Sequence, residues 1–441
     1  MRQEVARPVL KSSLALGGML FLSNCGFLPL ISPEKGVEHH AFVDYFPPAK
    51  SDKRLRLAVK DNIDMKDHVS TAGSEYFYRH GKPAKKDAPC LAIVRQRKDV
   101  VIIGKTNLSE FAVSPSGYNE YFGTPRSPLK RMPKLIPGGS SCGSAVAVAR
   151  GYADVAFGTD TAGSVRVPAA CCGVVGLKTT KGLIPIDGIH PIEPDHLDTV
   201  GPIAWDIENT VRGMDLLVSG FAAKYESIKA AKPLASGIRI GRLRLEGTDK
   251  AVDRAVDNAL AKTGFQVVDL GEEFSRKFEQ AREDGNTVAA AGAWMSDKDF
   301  LYKFEIAPRT KSIIRVGHIA YSFKYQKALA RQAEWQQALQ EVFKKVDFIA
   351  LPTLQNSPPR IPINLRVGLL ELLMLNLQNT VPVNYAGNPA LAMPISLSHK
   401  SVYLTSLELI GPKNSEAGLL NAGRLVEEAV PIKRPAPIPD A

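Results

Sequence analysis

Short apolar runs rich in β-branched residues recur along this chain, separated by alanine-rich or charged stretches with helical spacing. From Leu55 to about Gly220, runs such as VVIIG at 100–104 and VVGL at 174–177 alternate with stretches such as SAVAVARGYA at 144–153. Strands alternating with helices in this way predict an α/β sheet covered by helices. Between 233 and 345 the pattern changes. IRIGRL and FQVVDL read as two strands, and the charged stretches 250–262, 272–285 and 322–345 read as helices, so this part is expected to sit beside the first. Strand-like runs return within 346–412 as VDFIALP, NPALAMPIS and YLTSLELIG, which predicts that the C-terminal part completes the sheet. Residues 26–52, with Pro29, Pro33, Pro47 and Pro48, read as an irregular lead-in.

The first 25 residues follow a different grammar. Arg2, Arg7 and Lys11 precede an apolar stretch, SSLALGGMLFLSN, which ends at Cys25. A basic segment before roughly 7–15 apolar residues is the pattern of an export signal, and it is too short for a comfortable membrane span. Leu22-Ser23-Asn24-Cys25 resembles a bacterial lipobox, with Asn24 departing from the usual small residue before the cysteine. The expectation is a cell-envelope protein attached to a membrane through a lipidated Cys25. The alternatives are an uncleaved anchor and a cytoplasmic protein with an apolar N-terminal helix.

Composition narrows the classes. At 441 residues, 44% hydrophobic and 23% charged, the chain has ample apolar content for a large core and is neither globally disordered nor a multi-span membrane protein. The net charge of +11 is scattered, with no arginine-rich run carrying interleaved aromatics, so a solvated basic surface is expected and no nucleic-acid partner. Five cysteines (Cys25, Cys90, Cys142, Cys171 and Cys172) show no metal-ligand spacing, and Cys171 and Cys172 lie in an apolar run suited to buried thiols. GKT at 104–106 lacks the upstream glycine of a phosphate loop, because Asp99 occupies that position. Two S-x-x-K tetrads lack their companion motifs, and the eight histidines assemble into no triad.

Two glycine- and serine-rich stretches remain. PGGSSCGSAVAVA spans 137–149 and GTDTAGSVRVPAACCGVVGLK spans 158–178. Such residues ahead of alanine-rich helices leave backbone N–H groups facing open space, suited to an anion or a developing oxyanion. Ordinary helix capping by serine explains one such loop; two within 25 residues, followed by a buried apolar run, ask for more.

Together these two stretches closely resemble the signature of the amidase signature family of serine hydrolases. LAVKDNID at 57–64, GKTNLSEFA at 104–112, LDTVGPIA at 197–204, DFIALPT at 347–353 and NPALAMPIS at 388–396 resemble further blocks of that family, so the likeness covers roughly 50–220 and 346–412. The resemblance implies one large α/β domain over 26–441, a central twisted mixed β-sheet sandwiched by α-helices, with the more variable 233–345 shaping the substrate entrance. It also implies a triad of Lys60, a bridging Ser140 after a cis peptide, and the nucleophile Ser164. Backbone N–H groups of Thr161, Ala162, Gly163 and Ser164 would form the oxyanion hole, with Ser141, Asp160 and Arg166 in support.

In that scheme Lys60 acts as a base only if burial lowers its pKa from about 10.4, and Leu57 and Val59 permit such a site. Ala162 stands where the family usually has glycine, which would narrow the pocket or disfavour a positive φ. Cys142 replaces a common glycine or serine. The implied activity is hydrolysis of a small-molecule or peptide amide C–N bond, through an acyl-enzyme, to a carboxylate plus ammonia or an amine, with no metal or cofactor. The alternatives are the glutaminase subunit of a tRNA-dependent amidotransferase, working with a second protein, and an inactive binding protein on the same fold.

Overall fold

Alternate residues of strand β2 (Leu55–Lys60) feed two different cores, so both faces of the sheet are buried. Leu57 and Val59 pack with Val155 and Phe157 on one face. Ala58 packs with Ala156 and Ala145 on the other. The period of two along a strand accounts for the split, and burial on both faces accounts for the continuous apolar runs in the sequence. The computed structural model describes residues 37–129, 134–361, 367–397 and 404–432; the signal-like segment and Cys25 lie outside the described residues.

The remaining strands are β1 (Phe42–Tyr45), β3 (Val100–Thr106), β4 (Val155–Asp160), β5 (Val175–Lys178), β6 (Thr199–Ala204), β7 (Arg239–Arg242), β8 (Gln266–Asp269), β9 (Phe348–Pro352), β10 (Ala390–Ser396) and β11 (Leu404–Ile410). They form one mixed sheet in the order β1-β3-β2-β4-β6-β5-β10-β11-β9-β7-β8. The chain is thus a single large α/β domain. The two strands expected within 233–345 do not form a layer of their own; β7 pairs parallel with β9, and β8 extends that edge. The charged stretch at 272–285 belongs to a longer helix, Gly271–Asp297, and the stretch at 322–345 is broken into Tyr325–Ala330 and Gln332–Phe343.

Helices cover the two faces separately. Ile207–Asp215, Phe221–Ala231, Lys250–Thr263 and Glu416–Ala429 contribute to the core that holds Leu57 and Val59. Cys142–Ala149 and Arg166–Cys172 pack on the opposite face, beside Ala58 and Ala156. Gly143 lets the first of these lie close to the chain, since a Cβ there would sit 2.3 Å from the Ala41 carbonyl oxygen.

Strands β3, β2 and β4 run parallel, so their last residues, Thr106, Lys60 and Asp160, end at the same edge. The carboxyl edge of neighbouring parallel strands is where α/β sheets offer a site to ligands. Lys60 falls two residues after Ala58 and therefore shares the face on which Cys142–Ala149 packs.

The tight contact between β5 and β6 gives a test of the sheet. A Cβ at Gly201 would lie 1.9 Å from the Leu177 carbonyl oxygen, a main-chain atom that cannot swing aside. Gly201→Ala is expected to lower the unfolding midpoint in urea, with a loss of about 3 kcal/mol from overpacking.

Candidate active site

Lys60 is fully buried at the end of β2, and no carboxylate among the described residues is bonded to it. Its Nζ donates to Ser140 Oγ at 2.7 Å and to Thr159 Oγ1 at 2.8 Å. Asp61, the next residue, is turned to Lys105, whose Nζ lies 3.2 Å from Asp61 Oδ1. Burial without a paired carboxylate pulls the Lys60 pKa down from 10.5 to about 7, although Cys142, Asp160 and Asp198 pull the other way. Asn62 Nδ2 also donates to Thr159 Oγ1, at 3.2 Å, so that hydroxyl gathers two donors.

Ser140 and Ser141 precede the helix Cys142–Ala149, and the Gly139–Ser140 peptide is cis. Gly139 has no room for a side chain, since a Cβ would lie 2.5 Å from Gly117 N and 2.6 Å from Ser114 O. The Ser141 N–H donates to the Ser164 carbonyl at 3.2 Å, and Ser141 Oγ donates to the Thr159 carbonyl at 3.3 Å. These bonds tie the two serine-bearing loops together. Lys60 and Ser140 have no exposed surface, whereas Ser164 is 8% exposed; of the three, Ser164 is the one in contact with the outside.

The loop that carries Ser164 is shaped by Asp160 and Arg166. Asp160 accepts the N–H groups of Gly163 at 2.8 Å and Val165 at 3.1 Å, and its two oxygens receive Arg166 Nε and Nη2 at 3.0 Å each. Burial alone would raise the Asp160 pKa, but the charge and hydrogen bonds of Arg166 hold it far below the usual carboxylate range. Arg166 also donates to Glu408 Oε1 at 2.6 Å, to the Thr380 carbonyl at 2.9 Å and to Asn384 Oδ1.

The four expected oxyanion donors differ in their hydrogen bonds. The Gly163 N–H is already committed to Asp160 Oδ1, whereas the N–H groups of Thr161, Ala162 and Ser164 donate to no other group among the described residues. Gly163 is needed for shape: at φ +131° a Cβ would lie 2.1 Å from Thr380 Oγ1. Ala162 is not among the residues with positive φ, so its methyl group meets no backbone conflict, and its carbonyl accepts Thr380 Oγ1 at 2.6 Å. Thr161 Oγ1 donates to Asp198 Oδ1 at 2.6 Å. Cys142 is a buried thiol, and burial pushes its pKa up to about 12.

Several residues that complete this arrangement carried no signal of their own. Thr159, Asn62 and Asp198 lie inside the recognised segments, yet a threonine or asparagine there looks like any strand or turn residue. Thr380, Asn384 and Glu408 come from more than 200 residues further along. Among the described residues, no group of three or more His, Cys, Asp or Glu is placed to hold a metal ion. A buried amine beside a hydroxyl, a second serine within reach of solvent, and unpaired backbone N–H groups form an arrangement suited to acyl transfer.

The family profile of the amidases matches residues 55–420. The chain is 32% identical over 393 residues to 2-amino-5-chloromuconic acid deaminase of Comamonas testosteroni, covering 85% of this chain and 81% of that one. It is also 32% identical to a glutamyl-tRNA(Gln) amidotransferase subunit from Halobacterium salinarum, covering 84% and 94%. Among solved structures, 6-aminohexanoate cyclic dimer hydrolase complexed with substrate superposes with a TM-score of 0.75 at 21% identity, covering 96% and 95%, which speaks to the fold. The chain belongs to the amidase signature family, and it is an amidase, a hydrolase of amide C–N bonds.

Two substitutions distinguish Arg166 from Lys60. Asp160→Asn leaves Arg166 short of its main counter-charge and is expected to lose about 3–5 kcal/mol in urea denaturation. Lys60→Met removes a buried amine whose folded pKa, about 7, lies below its unfolded 10.5. The amine therefore costs most stability below about pH 7, and the cost shrinks as pH rises toward 10.5. Lys60→Met is expected to stabilise the fold, on the order of 1–3 kcal/mol near pH 6 and less at alkaline pH.

Proposed function

We propose that Ser164 is the nucleophile of this amidase, with Lys60 as its base and the Ser140 hydroxyl relaying the proton between them. The observation that carries this reading is the 2.7 Å contact between a carboxylate-free, buried Lys60 and Ser140, on a loop hydrogen-bonded to Ser164. Once neutral, the amine accepts the Ser140 proton while Ser140 accepts that of Ser164. Ser164 Oγ then attacks the amide carbonyl carbon. The tetrahedral oxyanion is held by the N–H groups of Thr161, Ala162 and Ser164, donors whose individual loss typically costs about 2.7–4 kcal/mol. The C–N bond breaks as the proton returns through Ser140 to the leaving nitrogen, and water hydrolyses the acyl ester to a carboxylate.

Ammonia or amine release from a panel of amides, glutamine included, tests the assignment. Ser164→Ala is expected to abolish turnover and fluorophosphonate labelling, and Lys60→Met to lower kcat by at least about 10³-fold. Because the base works deprotonated, kcat/KM should fall as pH drops below about 7. Turnover surviving in Ser164→Ala would overturn the nucleophile assignment. Glutamine as the preferred substrate would favour the reading as an amidotransferase component, which the Halobacterium relative supports.

We further propose that the chain is exported and held at a membrane through Cys25. The basic, apolar, cysteine-ended pattern of residues 1–25 supports this reading. No helix among the described residues is long and apolar enough to cross a membrane. In cell fractionation the full-length chain is expected with membranes, and Cys25→Ser in the soluble fraction; identical partitioning of the two would refute lipid attachment.

A further inference from the structure

Next to Thr159 lies a small cavity of about 10 Å³, room for one water-sized group, lined in part by Asn62, Thr161, His190, Ile192 and Asp198. Its polar wall is unbalanced toward acceptors. Asn62 is buried, and its Nδ2 is spent on Thr159 Oγ1 and the His190 carbonyl, while its Oδ1 has no partner among the described residues. Behind His190, the fully buried Asp297 takes His190 Nε2 on Oδ1 at 2.9 Å, and its Oδ2 has no partner among the described residues. Beside Asp198, the buried Glu193 meets Tyr325 Oη at 3.4 Å through Oε1, and its Oε2 is unpaired among the described residues. Asp198 itself accepts Thr161 Oγ1 and the N–H groups of Ile192 and Glu193.

Among the described residues no lysine or arginine lines the cavity, and the basic residue that does, His190, is bonded to Asp297. Burial and the neighbouring Asp198 push the Glu193 carboxyl up to about 7, with Asp195 adding to the effect and Lys181 opposing it. Buried acceptors without donors are costly, and closely spaced carboxylates favour a nearby cation.

Resting on the reading of Ser164 as nucleophile, we infer that this cavity receives a cationic substituent of the substrate, a primary ammonium group. The enzyme therefore prefers amino-bearing amides. An ammonium brings three donors and no acceptor, which suits the Asn62 Oδ1 and the Asp198 carboxylate. An alkyl group of the same size would leave Asn62 Oδ1 unsatisfied, and a carboxylate would be repelled by Asp198, Glu193 and Asp297.

Hydrolysis of ω-amino amides of three to six carbons, each compared with the alkanamide carrying methyl in place of ammonium, tests this near pH 7.5. At least one amino member is expected to exceed its partner about tenfold in kcat/KM, an effect of one close charge pair. In Asp198→Asn that ratio should fall about tenfold, and in Asp297→Asn and Glu193→Gln by less, chiefly through KM for the amino member. Independently of turnover, butylammonium should slow fluorophosphonate labelling of Ser164 in the wild-type enzyme more than butanol does. Equal protection by the two, or alkanamides hydrolysed as fast as their amino partners, would overturn the inference and mark the cavity as a water site. Neither result would touch the assignment of Ser164, which fails only if Ser164→Ala stays active or Ser164 resists labelling.

Discussion

A guanidinium sealed from water has to find an acceptor for every N–H it carries, and Arg166 does. Its Nε and one Nη2 donor meet the two oxygens of Asp160, and the remaining donors meet Thr380 O, Glu408 Oε1 and Asn384 Oδ1. Arginine cannot shed its charge to escape burial, so the requirement is absolute. Meeting it draws β11 and the helix Val381–Ala386 onto the loop that carries Ser164. The same Asp160 oxygens accept the N–H groups of Gly163 and Val165, so the ion pair sets the loop's backbone as well as its position. Buried ion pairs are weak contributors to net stability; this one is better understood as fixing a single arrangement at a site that needs one.

Lys60 shows the opposite solution to the same problem. A lysine can lose its proton, and burial beside hydroxyls makes the neutral amine accessible near neutrality. A lowered pKa is not sufficient evidence of a role, because Lys178 is also brought to about 7, by burial and by the nearby Arg166 charge. The difference lies in the partners. Lys178 donates to the main-chain carbonyls of Thr179 and Asn388, which hold no proton to exchange. Lys60 faces Ser140 and Thr159, whose hydroxyls both donate and accept. Lys105, the third buried lysine, is matched by Asp61 and braces the turn after β2.

The candidate site thus concentrates features that a stability-driven core would avoid: among the described residues, an amine without a counter-ion, an asparagine oxygen without a donor and carboxylate oxygens without partners. Around them the packing is conventional, with alternate strand residues filling two apolar cores. Polar groups left unmatched inside a well-packed frame are places where a ligand supplies what the protein lacks.

The apolar runs and their spacing were enough to place most strands and to give the α/β class, because side-chain alternation and burial are local properties. The candidate triad was singled out by its resemblance to the family signature. Lys60, Ser140 and Ser164 sit in short segments whose glycines are demanded by close backbone approach, as Gly139 and Gly163 show. The sequence did not disclose that 233–345 adds its strands to the edge of the same sheet, since a parallel edge pairing leaves no local mark. Nor did it reveal that Asp160 takes the Gly163 N–H, or that Thr380, Asn384 and Glu408 complete the Arg166 shell. Those matters belong to tertiary structure for one reason: a buried donor is satisfied by any acceptor that the fold carries to it, from whatever distance along the chain.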